Sequence, residues 1–187
     1  EGNLKNYNEY AALFKTMHND WQQKWGIGTF PIYFAQIAPY LYREKGISPY
    51  MKEQQLIISQ QQPNTGMAVL LDAGNGGIHP SNKRVVGERL SYLALAKTYG
   101  FSNLPHLSPT LKQMSIKADT VNLVFSDALR GLTSNGKPLT LFEIASDDQK
   151  FYKAKALIRK DAVFVWSTEV KKPTAVRYAF ADDVRAE

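Results

Sequence analysis

The 187-residue sequence has no cysteine and only three histidines. The lack of cysteine excludes disulfide bonds, cysteine-type zinc sites and a cysteine nucleophile. No apolar run approaches the roughly 20 residues of a membrane-spanning helix, so no membrane span is expected. The formal charge of +6 is spread along the chain and not gathered in one basic run, which argues against a nucleic-acid partner. With 44% hydrophobic residues, the chain has the composition of a folded domain.

The first half of the sequence alternates between helical and strand-like patterns. Apolar residues recur every three or four positions over Tyr7–Trp25, which predicts a helix with one apolar face. Two nearly continuous apolar runs, Thr29–Ala38 and Met67–Asp72, predict strands buried on both faces. Further helices are predicted over residues 48–60 and 82–99. This order is typical of a parallel sheet covered on both sides. Because two strands are too few for such a sheet, we expect further strands from before the first residue or from another chain.

The second half of the sequence consists of short β-like segments separated by polar turns. Such a pattern predicts a small antiparallel sheet or sandwich. The change of pattern lies near Pro105–Pro109. We therefore predict an α/β domain over residues 1–106 and a β-rich, sandwich-like region over residues 107–187.

One loop stands out as a candidate for chemistry: the Gly-rich segment Asp72–Pro80, which ends in Ile78-His79-Pro80. It follows a predicted strand and leads into a helix, where α/β enzymes commonly place catalytic residues. A neutral imidazole there can accept a proton from a hydroxyl and return it to a leaving group. His79 is therefore a candidate general base. The alternative is a capping or packing histidine, because Pro80 and Asn82 are residues that start helices.

A histidine base needs a carboxylate that orients it. The position three residues before His79 is Gly76, so a local acid is absent. Asp72 at the end of the strand is one candidate, although this role ranks below the more ordinary one of closing the strand and binding loop amides. Glu1 is another, and it is remote in sequence.

No nucleophile is found in the chain. Ser102 lies in a Gly-x-Ser-Asn sequence, but it follows a predicted helix where a nucleophile turn would follow a strand. We therefore predict that Ser102 is a loop residue. The histidines are far apart and the Gly-rich loop lacks the Lys-Ser/Thr of a phosphate-binding loop, so neither a metal site nor a cofactor is expected.

Several blocks of the chain resemble the sialate O-acetylesterase family of SGNH-type carbohydrate esterases. The block Ile-His-Pro-x-Asn-Lys in this order is the most specific of them. The similarity covers nearly the whole chain, through Glu1-Gly2-Asn3, Asp20–Trp25 (DWQQKW), Phe30–Ala38 (FPIYFAQIA), Lys52–Gln55 (KEQQ), Gly66–Gly74 (GMAVLLDAG), Ile78–Leu90 (IHPSNKRVVGERL) and Pro173–Phe180 (PTAVRYAF).

The resemblance implies an incomplete three-layer SGNH-hydrolase-like domain followed by the β-rich region. It implies that His79 is the catalytic base and that the serine lies in a block upstream of Glu1, in a part of the protein that would be this chain's partner. In relatives without an acid before the histidine, the carboxylate of a Gln-Gly-Glu block can replace it. Glu1 would then hold His79, with Asp72 as the lesser option. The implied substrate is O-acetylated sialic acid or an acetylated plant glycan, and the implied location is extracellular or periplasmic.

Three positions depart from the family pattern: Gly2-Asn3, Gly76 in place of an acid, and Lys52 in place of Arg. These departures bear on the assignment of the orienting acid more than on the assignment of the base. A second hypothesis is therefore kept, a non-catalytic carbohydrate-binding module with a degenerate esterase fold. Aromatic residues able to stack on sugar rings, or alternatively to pack in the core, are Tyr40, Tyr42, Tyr50, Trp166 and Tyr178.

Overall fold

The computed structural model describes residues 2–128 and 130–187, which form two compact units. The α/β unit contains residues 2–106 together with Ala181–Arg185. The β unit contains Leu107–Phe180 together with Ala186–Glu187. Residues 181–185 thus belong to the first unit, whereas the sequence pattern predicts one continuous β-rich region over residues 107–187.

The α/β unit contains three helices and a two-stranded sheet. β1 and β2 run parallel, with Ile32 opposite Thr65 and Ala35 opposite Ala68. A buried cluster of Leu4, Tyr42 and Met51 forms a hydrophobic core in this unit. In chain order its elements are a 3-10 turn (Leu4–Asn6), α1 (Tyr7–Trp25), β1 (Ile32–Ala35), α2 (Ser48–Gln61), β2 (Thr65–Ala68) and α3 (Lys83–Lys97).

The helix predicted over Tyr7–Trp25 is confirmed at both ends. Gly26, with φ +63°, caps its carboxyl end in the left-handed conformation that glycine adopts without steric cost. The predicted apolar face is only partly buried, however. Trp21 and Trp25 are 42% and 62% exposed, and the buried residues of α1 are Phe14 and His18. Periodicity therefore locates the apolar face of α1, but not the extent of its burial.

Both predicted strands are shorter than the apolar runs that predict them. β1 occupies only Ile32–Ala35 and is half-buried to exposed, so the prediction that it is buried on both faces is wrong. β2 is buried at all four positions, but it occupies Thr65–Ala68 and shares only Met67 and Ala68 with the predicted run Met67–Asp72. The pairing of the two strands ends at Ala35 and Ala68. The chain then turns, and Ala73 N donates a hydrogen bond to the carbonyl of Leu70 (3.0 Å).

The β unit is antiparallel throughout its named strands, as the short β-like segments predict. One sheet has the order β3-β4-β8-β7 and the other has the order β6-β5-β9. Its buried core takes Val121, Leu123, Val163 and Val165 from the first sheet, and Phe142 and Ile144 from the second. The strands are β3 (Thr110–Lys117), β4 (Thr120–Ser126), β5 (Phe142–Ala145), β6 (Tyr152–Lys153), β7 (Lys155–Arg159), β8 (Ala162–Trp166) and β9 (Ala175–Tyr178).

The chain is therefore mixed α/β, with a parallel pair of strands in one unit and antiparallel sheets in the other. Among the described helices, none has both the length and the apolar character required to cross a membrane.

Candidate active site

His79 lies in the loop that connects β2 to α3, and its side chain is exposed. The side chain of Asn75 makes two hydrogen bonds within this loop. Asn75 donates from Nδ2 to Ser81 Oγ (2.8 Å) and accepts from Gly77 N (3.2 Å), in the pattern of an Asx turn. These bonds join the residues before His79 to Ser81 after it, and neither of them involves the imidazole.

The residues on either side of His79 are anchored. Ile78 packs against the cluster formed by Leu4, Tyr42 and Met51, and Pro80 is buried. A loop held in this way can present one exposed side chain in a fixed position. The geometry does not support the alternative role of a packing histidine.

The amino end of α3 is capped by a different residue. Asn82 Oδ1 accepts a hydrogen bond from Val85 N (3.4 Å), as expected for an N-cap. His79 is therefore not needed as a cap.

The other two histidines are engaged in structural hydrogen bonds. In His18, which is buried, Nε2 contacts Gln22 Nε2 (2.8 Å) and Nδ1 contacts Gln62 Nε2 (2.9 Å). The Gln22 amide is fixed by Phe30, because it donates to the Phe30 carbonyl (2.7 Å) and accepts from Phe30 N (2.9 Å). Its nitrogen is therefore directed at His18 Nε2 as a donor, and both ring nitrogens of His18 are occupied by glutamine side chains.

His106 Nδ1 is hydrogen-bonded to the carbonyl of Leu104 (2.9 Å). Within residues 2–128 and 130–187, His79 is thus the histidine whose ring makes no hydrogen bond. A ring of this kind is available for a substrate, a nucleophile or an orienting acid.

Asp72 is paired with Arg89 of α3. Arg89 donates from Nη1 to Asp72 Oδ1 (2.7 Å) and from Nη2 to Oδ2 (2.6 Å), and Nη1 also donates to the carbonyl of Val69. The hydrogen bond from Arg89 is the main reason that the pKa of Asp72 lies below its usual value, against an opposing effect of burial. Both carboxylate oxygens are directed at Arg89, and no hydrogen bond between Asp72 and His79 is found in the described part of the chain. Pattern reasoning identified Asp72 but not its partner.

Glu1, the other candidate acid, lies outside the described residues. Ser102 lies in an exposed turn after α3, with its amide bonded to the Gly100 carbonyl (2.9 Å). The prediction that Ser102 is a loop residue is confirmed. Among the described residues, no group of three or more His, Cys, Asp and Glu side chains is arranged to hold a metal ion.

A buried polar cluster beside β1 is the feature that the sequence pattern missed. Gln36 directly follows β1, and the carboxyl ends of parallel neighbours lie at the same edge of a sheet, so it is on the same edge as the His79 loop. Gln36 is 6% exposed and donates from Nε2 to the Lys52 carbonyl (3.4 Å), while its Oε1 has no partner in the described structure. Gln55 accepts from Ile37 N (3.0 Å).

Lys52 belongs to the same cluster and is 5% exposed. Burial lowers the pKa of Lys52 to about 8, in spite of the opposing effect of Asp182 and Asp183. Its Nζ donates to the carbonyl oxygens of Ala181 (3.2 Å) and Asp182 (3.1 Å). Lys52, which stands where the family pattern has Arg, therefore makes hydrogen bonds within the fold.

Comparisons with known proteins agree with the resemblance in the sequence. No family model matches the chain. The chain is 30% identical over 172 residues to the rat (Rattus norvegicus) protein named sialate O-acetylesterase. This match covers 79% of this chain and 31% of the rat protein. It is also 27% identical over 157 residues to the mouse (Mus musculus) protein named sialate O-acetylesterase. That match covers 73% of this chain and 28% of the mouse protein.

A solved structure is also similar. The crystal structure of a carbohydrate acetylesterase from Xanthomonas citri matches with a TM-score of 0.86 and 33% sequence identity. The match covers 94% of this chain and 41% of that chain. The class that these similarities define is the carbohydrate esterases. The chain belongs to the sialate O-acetylesterase family, and it spans less than a third of the length of the two rodent relatives.

Proposed function

We propose that this chain provides the general base, His79, of a carbohydrate O-acetylesterase. The observation that carries the proposal is an unengaged, exposed imidazole between two anchored residues, in the loop that connects the parallel strand β2 to α3. The names of the relatives support the class of reaction.

The reaction follows the chemistry of serine acyl transfer, with the serine supplied by a part of the protein outside these 187 residues. His79 accepts the proton of the serine hydroxyl as the serine oxygen attacks the acetyl carbonyl. The imidazolium then gives the proton to the departing sugar oxygen, which leaves an acetyl-enzyme. His79 next deprotonates a water molecule, which attacks the acetyl group. Acetate leaves, and the serine recovers its proton from the imidazolium.

Glu1 is the carboxylate that orients His79 in this proposal. Ile78, next to His79, packs against the cluster that contains Leu4. The choice of Glu1 follows from the resemblance of Glu1-Gly2-Asn3 to the Gln-Gly-Glu block of the family. Asp72 is less suited because both of its oxygens accept hydrogen bonds from Arg89.

The proposed substrates are O-acetylated sialic acid or acetylated plant glycan, and the proposed setting is glycan degradation outside the cytoplasm, extracellular or periplasmic. The test is release of acetate from both substrates by the intact protein and by the 187-residue chain. We expect the intact protein to release acetate and to be inactivated by a serine-directed phosphonate. We expect the isolated chain to be inactive. Phosphonate-sensitive turnover by the isolated chain would contradict the proposal and would implicate Ser102.

One observation favours the second candidate, a carbohydrate-binding role. Trp166 and Phe164 lie on the outer face of the β3-β4-β8-β7 sheet, and with Thr120, Leu157 and Arg159 they line an open groove of about 270 Å³. A second groove of about 500 Å³ also includes Trp166 and Leu157, together with Lys153 and Lys155. An aromatic ring can stack on the apolar face of a sugar, while neighbouring hydrogen-bonding groups can bind its hydroxyls.

The remaining aromatic candidates fit packing better than sugar binding. Tyr42 is 4% exposed and meets Tyr40 edge to face (5.2 Å between centroids). Tyr178 packs on Phe142 (4.6 Å), and Tyr50 stacks on Tyr7 (5.1 Å). Binding of the intact protein to immobilised glycan separates the two roles. Loss of binding in Trp166→Ala, with no acetate release by the intact protein, would favour the binding module over the esterase.

A further inference from the structure

The last segment of the α/β unit, Ala181–Arg185, reaches it only after the chain has passed through the β unit. We refer to it as the return segment. Its contacts join three parts of the α/β unit that are far apart in sequence: the stretch after β1, the start of α2 and the start of the His79 loop.

Asp182 binds the start of α2. Its Oδ2 accepts from Gly46 N (2.6 Å), and its Oδ1 accepts from Ser48 N (3.2 Å) and Ser48 Oγ (2.7 Å). Asp182 is 8% exposed and Ser48 is fully buried. A buried carboxylate with three donors is a fixed attachment point, because any loss of these donors would leave a buried charge unsatisfied.

The backbone of the return segment is bound as well. The Asp182 carbonyl accepts from Tyr40 N (3.0 Å) and from Lys52 Nζ (3.1 Å), and the Ala181 carbonyl also accepts from Lys52 Nζ (3.2 Å). The return segment is therefore bound both by α2 and by the stretch that follows β1.

Arg185 extends these contacts to the His79 loop. Its Nε donates to the carbonyl of Gly74, five residues before His79. Gly74 is buried against Pro39, and a Cβ added there would lie 3.1 Å from Pro39 Cβ. The start of the loop is thus fixed between Pro39 and the guanidinium of Arg185.

We propose that Arg185 is a positioning residue for His79, and that the return segment uses Asp182 as its anchor to hold the loop in place. The proposal rests on the proposed role of His79 as the base. It predicts that loss of the Arg185 contact loosens residues 74–79 without unfolding the unit, because Arg185 is itself exposed.

The experiment compares Arg185→Ala and Arg185→Lys with Arg84→Ala in the intact protein. Arg84 is an exposed arginine bonded to Glu88 on α3, so its removal is a matched control. Hydrogen exchange at the amides of residues 74–79 reports the loop, and kcat and KM for acetate release report catalysis. We expect Arg185→Ala to speed exchange there and to lower kcat by about tenfold or more, as misplacement of a catalytic group does, with KM nearly unchanged. Arg185→Lys should recover part of kcat.

Unchanged exchange at residues 74–79 in Arg185→Ala would overturn the proposal. Faster exchange with kcat equal to that of Arg84→Ala would also overturn it, because the contact would then be only structural. If the intact wild-type protein releases no acetate, the proposed function fails separately, and the exchange measurement still decides whether Arg185 holds the loop.

Discussion

The two units use different means to hold their structure. The β unit buries aliphatic and aromatic side chains between two sheets, with Val121, Ile144 and Val165 fully buried. The α/β unit buries polar groups as well, among them Gln36, Lys52, Gln55 and Asp182, while Trp25 and Ile27 remain 62% and 69% exposed. Apolar burial is non-directional, whereas each buried polar group needs a specific partner. The unit that carries the candidate site is therefore the one whose stability depends most on individual contacts.

The largest effect that we expect on stability is in the β unit. Ile144→Ala should lower the free energy of unfolding of this unit by about 4 kcal/mol, because it leaves a cavity in a fully buried site. Denaturant unfolding of the intact protein measures it. Leu157→Ala is the control, since Leu157 is 46% exposed and its loss should cost only about 0.5 kcal/mol. Equal costs for the two variants would contradict the account of this core.

The matching change in the α/β unit is Asp182→Ala. It leaves the Gly46 and Ser48 donors without an acceptor and should cost about 3 kcal/mol. The control is Asp183→Ala, because Asp183 is the exposed neighbour on the same segment. If both variants unfold at the same denaturant concentration, polar contacts do not hold this unit together.

The buried lysine should be visible in the dependence of stability on pH. Because the pKa of Lys52 falls from 10.5 to about 8 on folding, the unfolded state holds a proton that the folded state has released between these values. The free energy of unfolding of the wild type, relative to Lys52→Met, should therefore rise as the pH increases from about 8 to 10.5. Denaturation at several pH values measures this difference. A difference that does not change with pH would mean that Lys52 has no lowered pKa.

The smallest effect is expected for Asp72→Asn. The pair with Arg89 is partly exposed (50% and 30%), so we expect a loss of at most about 1 kcal/mol and little change in kcat. Since Arg89 lowers the pKa of Asp72 below 3.8, this contribution is present above that pH. It is lost as the pH falls through the lowered pKa. A collapse of kcat in Asp72→Asn, with Glu1→Gln unaffected, would instead identify Asp72 as the orienting acid.

Sequence patterns predicted what depends on neighbouring residues. The bounds of α1 follow from periodicity and from Gly26, and the antiparallel strands of the β unit follow from short alternating segments between turns. The position of His79 in a loop after a strand also follows from local pattern. The contacts of Asp182 with Ser48 could not be predicted in this way, because they join residues 134 positions apart. The same holds for the exposure of Trp25, since periodicity does not say what covers a face.

The central claim is tested most directly by His79→Ala in the intact protein. We predict that kcat for acetate release falls by about 10³-fold or more, because the variant loses the group that moves the proton in both half-reactions. His106→Ala, whose ring is bonded to a backbone carbonyl, should retain wild-type kcat. A folded His79→Ala protein with kcat near that of the wild type would contradict the assignment of His79 as the base.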